Sequence, residues 1–155
     1  MTDDWISITR AVHEFAYGID TRDWALYRSI FADGPIDFDY SSYHGRPGSS
    51  MDADAWVANV RPLFDGLDAT QHSMSNPLVD VDGDTARCRM YMQAAHFLWR
   101  DDLLAETGSA ESEFTIGGYY DDRLVRTASG WKLTAVTLTV FWRRGNAAIM
   151  SLATR

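Results

Sequence analysis

The stretch "TARCRMYMQAAHFLW", residues 85–99, decides the fold. Its even positions are Ala86, Cys88, Met90, Met92, Ala94, His96 and Leu98, so one side of the segment is almost wholly apolar and carries a single imidazole. A period of two sustained over this length belongs to a β-strand that faces a core, not to a helix. Upstream, "VDGD" at 81–84 predicts a hairpin turn to a partner strand at about 70–81. Downstream, "RDDLLAETGSAES" at 100–112 reads as a polar surface loop. Strands are expected beyond it at about 113–127 and 131–143, joined by the "TASG" turn.

The first half has a different period. Trp5, Ile8, Val12, Phe15, Ala16 and Ile19 recur at spacings of three and four and predict an amphipathic helix over about 3–19. In "DTRDW", Asp20 stands where an N-cap would start a second short helix, with Asp23 three residues on and Trp24, Tyr27, Arg28 and Phe31 following. "IDFDYSSY" predicts a strand near 36–42, and "HGRPGSS" a loop. A third helix is expected after a cap at Ser50 or Asp52, with Trp56, Val57, Val60 and Phe64 on its apolar side and Pro62 ending or bending it. Helices first and antiparallel strands behind them make an α+β domain over 1–155, its helices covering one face of a curved sheet.

Composition narrows the function classes. With 155 residues, 46% hydrophobic and 13% aromatic, the chain has material for one core. A formal charge of -8, with 13 arginines and one lysine scattered along the chain, argues against nucleic acid or an anionic membrane as partner and favours a neutral or apolar small ligand. Cys88 has no second cysteine to pair with and is expected to be a small buried hydrophobe. The acidic opening "MTDDWISITR" lacks a signal-peptide pattern, and no stretch approaches the ~20 apolar residues of a membrane span, so a cytoplasmic protein is expected.

Three residues stand out for chemistry, with two tyrosines beside them. Asp20 continues the column of Val12 and Ala16 if the first helix persists to it, which would put a carboxylate at the edge of the buried stripe. His72 and His96 fall in predicted strands, and an imidazolium on an apolar face is costly unless a carboxylate compensates it. An Asp–His pair of that kind makes a general base that works near neutral pH. The alternative from spacing alone is that Asp20 only caps the second helix and His72 donates to a backbone carbonyl. Tyr40 and Tyr43 read either as strand aromatics or as participants in a site, and His13 and His44 as a helix-surface and a loop residue. Met74, Met92 and Trp142 are either core or the lining of a cavity for a flat aromatic ligand, since thioethers and rings pack against rings. Asp20, His72 and His96 could form a two-histidine, one-carboxylate metal set. With no HxH or HExxH pair, however, no metal is expected. There is no GxSxG, Walker or GxGxxG motif.

"YGIDTRDW" (17–24), "FDYSSY" (38–43), "TQHSMSN" (70–76), "MYMQAAH" (90–96) and "SGWKLTAV" (129–136) together resemble the nuclear transport factor 2-like superfamily in its SnoaL-like branch. Within that branch they are most similar to the scytalone dehydratases, the bile acid dehydratases and the hexachlorocyclohexane dehydrochlorinases. The resemblance implies a cone-shaped α+β barrel, with N-terminal helices packed on a strongly curved, mostly antiparallel sheet. It also implies a cofactor-free lyase. Asp20 and His72 match the family's catalytic dyad, His96 its second histidine, and Tyr40 a tyrosine that binds the catalytic water or a substrate carbonyl. The sequence departs from scytalone dehydratase at Ile19, where that enzyme has a tyrosine, and at Gly118 and Tyr120, where it has serine and asparagine. The expected substrate is therefore a hydrophobic hydroxylated molecule, aromatic or polycyclic, other than scytalone, in a pocket that includes Tyr43, Met74, Met92, Tyr120 and Trp142. Elimination of water leads, with carbon-carbon cleavage or isomerisation by the same dyad as alternatives. A non-catalytic subunit like that of ring-hydroxylating dioxygenases, with a filled cone, or a ligand carrier would also suit the fold. A homo-oligomer, trimer or dimer, is expected, with the aromatic strand 131–143 as a plausible interface. The tail "NAAIMSLATR" is either a lid or a packed end.

Overall fold

The computed structural model describes residues 2–155. Helix α1 (Thr2–Thr21) is followed by α2 (Trp24–Ser29), β1 (Pro35–Asp39), α3 (Ser41–His44), β2 (Ser49–Asp52) and α4 (Ala53–Gly66). Then come β3 (Ala69–Asp82), β4 (Thr85–Phe97), α5 (Leu103–Thr107), β5 (Glu113–Thr127), β6 (Gly130–Gly145) and α6 (Ile149–Leu152). The six strands form one unclosed sheet in the order β2-β1-β6-β5-β4-β3, antiparallel except between β1 and β6. Register shifts at Ser75/Leu78 in β3–β4, and at Gly117/Gly118 and Arg123/Leu124 in β5–β6, are the irregularities that let the long strands bend around a core. The result is the α+β architecture expected, with helices packed on a curved, mostly antiparallel sheet.

The period-two reading of β4 places Ala86, Cys88, Met90, Met92, Ala94 and His96 on the buried face. Against that face lie the α1 stripe Ile8, Val12, Phe15 and Ile19, and Tyr27 from α2. Burying such a set is the main term holding helices to sheet, at roughly 1.5–3 kcal/mol per large side chain.

Several boundaries differ from expectation for identifiable reasons. Helix α1 runs two residues further than 19, to Thr21, so Asp20 is not the cap of α2; Asp23 is, its carboxylate accepting from the Leu26 amide at 2.9 Å. Arg22 then stops α1 in the left-handed region (φ 56), costly for a non-glycine residue. Its guanidinium donates to the carbonyls of Asp20 (2.8 Å), Phe64 (3.0 Å) and Leu67 (2.8 Å), offsetting that cost and clamping the end of α1 to the end of α4. The same clamp and the buried Phe64 and Leu67 carry α4 through Pro62 to Gly66, so the proline lies within the helix. The expected strand at 36–42 ends at Asp39, where the chain turns into α3. The loop readings of 44–50 and 100–112 miss β2 and α5, which are too short to leave a periodic signal.

The tail is a packed end. Ile149 and Leu152 are buried, and Asn146 binds the Thr107 hydroxyl and the Glu111 carbonyl, tying the tail to the α5 segment. Among the described residues, no helix is long and apolar enough to cross a membrane.

Candidate active site

Because α1 persists through Thr21, Asp20 lies in its last turn, facing the edge strand β3. There the carboxylate meets three donors. Thr70 Oγ1 donates to Oδ1 at 2.9 Å, the His72 amide donates to Oδ2 at 2.6 Å, and His72 Nδ1 lies 2.7 Å from Oδ1. Burial acts to raise the Asp20 pKa, but the hydrogen bonds and charge of His72, with the Thr70 bond, outweigh it and hold the carboxyl below its usual range. An ionised acceptor at Nδ1 fixes the His72 tautomer with the proton on Nδ1, leaving Nε2 as the basic nitrogen. The His72 side chain is only 5% exposed.

His96 is next on β4. The two imidazoles meet edge to face with centroids 5.8 Å apart, and Phe64 lies 6.0 Å from each. His96 Nδ1 is 3.0 Å from the Phe114 carbonyl, an acceptor only, so this nitrogen bears the proton. Burial, then the neighbouring His72, push the His96 pKa down to about 4. It is a neutral imidazole with an accepting Nε2.

Both rings line a cavity of about 250 Å³ whose walls are otherwise mainly apolar and aromatic. Tyrosines line the same cavity. Tyr40 follows the last residue of β1 at the turn into α3, so its ring lies 5.3 Å from Trp56 and 6.4 Å from Tyr120. Tyr27 accepts from the Trp56 indole at 3.0 Å and is completely buried. Burial pushes Tyr27, Tyr40 and Tyr120 well above the usual phenol range, helped by neighbouring tyrosines at Tyr27 and Tyr40 and outweighing the hydrogen bond with Tyr40 that lowers Tyr120, so each keeps its proton. Tyr43 and the exposed His44 form the rim, and Met150 from the tail joins the wall.

The structure thus brings Asp20, His72, His96, Tyr40, Tyr43 and Tyr120 together, with Asp20 reaching the cavity through His72. The other three expected lining residues lie elsewhere. Met74 sits under α1 beside His13, Ala16 and Tyr17, because the helix crosses β3 at that level. Met92 is in the packed core at 2% exposure. Trp142 lies across the outer face of β5, where a β-carbon on Gly117 would come within 2.2 Å of its ring. Tyr27 and Trp56 line the cavity but were read only as helix apolar positions; their hydrogen-bonding heads were the missed signal. Among the described residues no group of three or more His, Cys, Asp or Glu is placed to hold a metal ion.

A family model for the SnoaL-like domain matches residues 2–137. The chain belongs to the SnoaL-like domain family. Its structure is similar to that of Kfla4162 from Kribbella flavida, at 27% identity and TM-score 0.87, covering 97% of this chain and 98% of that one. A Novosphingobium aromaticivorans protein provisionally named an aromatic ring hydroxylase superposes at 22% identity and TM-score 0.79, covering 97% and 98%. Another from the same organism, provisionally named a scytalone dehydratase, gives 19% and 0.74, covering 93% and 91%. At such identities the last two establish the shared fold.

Proposed function

We propose that this SnoaL-like protein is a cofactor-independent lyase that removes water from a hydrophobic hydroxylated molecule of one or two rings. The observation that carries the reading is the Asp20–His72 contact of 2.7 Å, with the imidazole also forming part of an apolar cavity wall. Nε2 of His72 takes a carbon-bound proton, and Asp20 stabilises the imidazolium. Because His96 is neutral near pH 7, it orients the substrate hydroxyl as an acceptor. The proton that completes the departing water comes back from His72. Tyr40 and Tyr120, both protonated, donate to the oxygen on which negative charge develops. The cavity sets the scale of the substrate: an apolar cavity of about 150 Å³ takes benzene, and about 250 Å³ leaves room for a second ring.

The support for catalysis over a purely structural subunit is the open cavity and the aligned dyad; a filled cone would have pointed the other way. Carbon-carbon cleavage or isomerisation would use the same base. The test is a panel of hydroxylated one- and two-ring compounds followed by mass spectrometry for loss of water. His72→Ala should lower turnover of any substrate found by on the order of 10²-fold or more with binding retained, and full activity in that variant would overturn the assignment. A homo-oligomer is proposed with it, through the outer sheet face where Tyr91, Phe141 and Trp142 are exposed; a monomer in sedimentation analysis would refute that part.

A further inference from the structure

Two residues beyond Tyr120 on the inward face of β5 is a carboxyl that the dyad chemistry does not use. Asp122 is 2% exposed, and its Oδ1 is buried without a hydrogen-bond partner. Its cross-strand neighbours are Cys88 on β4 and Val136 on β6. The titratable groups around it are Tyr120 on its own strand, Tyr40 from the end of β1, Tyr27 from α2 and Cys88 from β4, and each of them is made harder to ionise by a charge at Asp122. Its chain neighbour Asp121 is engaged with Arg87. None of these surrounding groups supplies a positive charge. An unpaired carboxylate in such a place is prohibitively costly, and the group stays neutral instead. Burial, then Asp121, push its pKa well above the carboxylate range.

We propose that Asp122 is an electrostatic positioning residue for the tyrosine wall: as a neutral carboxylic acid it lets Tyr40 and Tyr120 stabilise negative charge on a ligand oxygen, and a charge on Asp122 would withdraw that capacity. The physical reason is that a buried negative charge beside the tyrosines would repel the charge they are placed to stabilise, with little solvent to screen it. The proposal rests on the lyase reading for the use of the tyrosines, but not for the state of the carboxyl.

Two measurements separate these parts. The first is ¹³Cγ NMR of aspartate-labelled full-length protein through a pH titration, the Asp122 signal being assigned by its loss in Asp122→Asn. The expected result is a carboxylic-acid shift that persists at pH 7, far above the ordinary aspartate value of about 4. A carboxylate shift at pH 7 overturns the proposal outright. Should the amide variant not fold, Asp122→Ser provides the assignment. The second is binding of 4-nitrophenol, whose absorbance distinguishes phenol from phenolate. Wild-type affinity for the phenolate should fall about tenfold or more as pH passes the Asp122 half-point, and Asp122→Asn should lose that dependence. An identical pH dependence in both proteins overturns the coupling to the tyrosines. If wild type binds no phenol at any pH, the small-molecule site itself fails, whatever the state of the carboxyl.

Discussion

The two walls of the cavity reach opposite charge states by opposite means. On the histidine wall, Asp20 is partly buried yet ionised, because three donors from β3 converge on one carboxylate. Behind the tyrosine wall, Asp122 is buried and neutral, because among the described residues its Oδ1 meets no donor and the titratable groups around it are acids. The same residue type is thus a base-orienting anion in one place and an uncharged acid in another. Burial alone does not set a carboxyl's state; the number of hydrogen bonds that survive burial does.

The strongest way to break the comparison is to remove the charge from the histidine wall. Asp20→Asn keeps the shape but leaves His72 without an anion to fix its tautomer, and turnover of an identified substrate should fall by on the order of 10²-fold or more. Its sharpest form is the pH dependence of stability. The folded pKa of Asp20 is lowered, so its contribution is fully present above the unfolded value of about 4 and is lost as pH falls through the folded pKa. The folded pKa of Asp122 is raised, so above about pH 4 the folded state holds a proton the unfolded chain has released, and stability declines as pH rises towards the folded pKa. Urea midpoints should therefore show Asp20→Asn most harmful at neutral pH and harmless in acid, whereas Asp122→Asn should gain on wild type as pH rises; parallel curves for the two would contradict the contrast.

Smaller effects test how the histidine wall is positioned. Arg22→Ala removes the clamp on the Asp20, Phe64 and Leu67 carbonyls while leaving the left-handed backbone, and should cost about 2 kcal/mol by chemical denaturation. A variant as stable as wild type would mean that α1 and α4 are held by packing alone. Thr70→Val deletes one of the three bonds to Asp20 and should cost about 1 kcal/mol, measured the same way, with His72 still bound to the carboxylate.

Much of this was readable in the sequence, and what was not has a common cause. The alternation in 85–99 and the stripe from Ile8 to Ile19 are local patterns, and they placed the sheet face, α1 and the inward imidazole of His96. The Asp20–His72 pair was reached through family resemblance; spacing alone left the helix-capping alternative open, because it could not say whether α1 stopped at Ile19 or ran on. Met74 and Met92 were misjudged because a residue on the correct strand face lines a cavity only where no helix covers it. Trp142 was misjudged because the register shift at Gly117/Gly118 and the bare backbone of Gly117 set its ring on the outside. Asp122 did leave a signal: it occupies an even position in the series Phe114, Ile116, Gly118, Tyr120 and Leu124, a carboxyl where alternation demands an apolar group.

By itself, then, the sequence determined the types of the long elements, the α+β class and which face of β4 turns inward, since those follow from periods of 3.6 and 2.0 along a continuous chain. Only the tertiary structure decided that α1 crosses β3 where Asp20 meets His72, that a cavity of about 250 Å³ remains beside the dyad, and that the titratable groups gathered around Asp122 are acids. Those outcomes depend on the angle and distance at which separate elements pack, and no local periodicity encodes them.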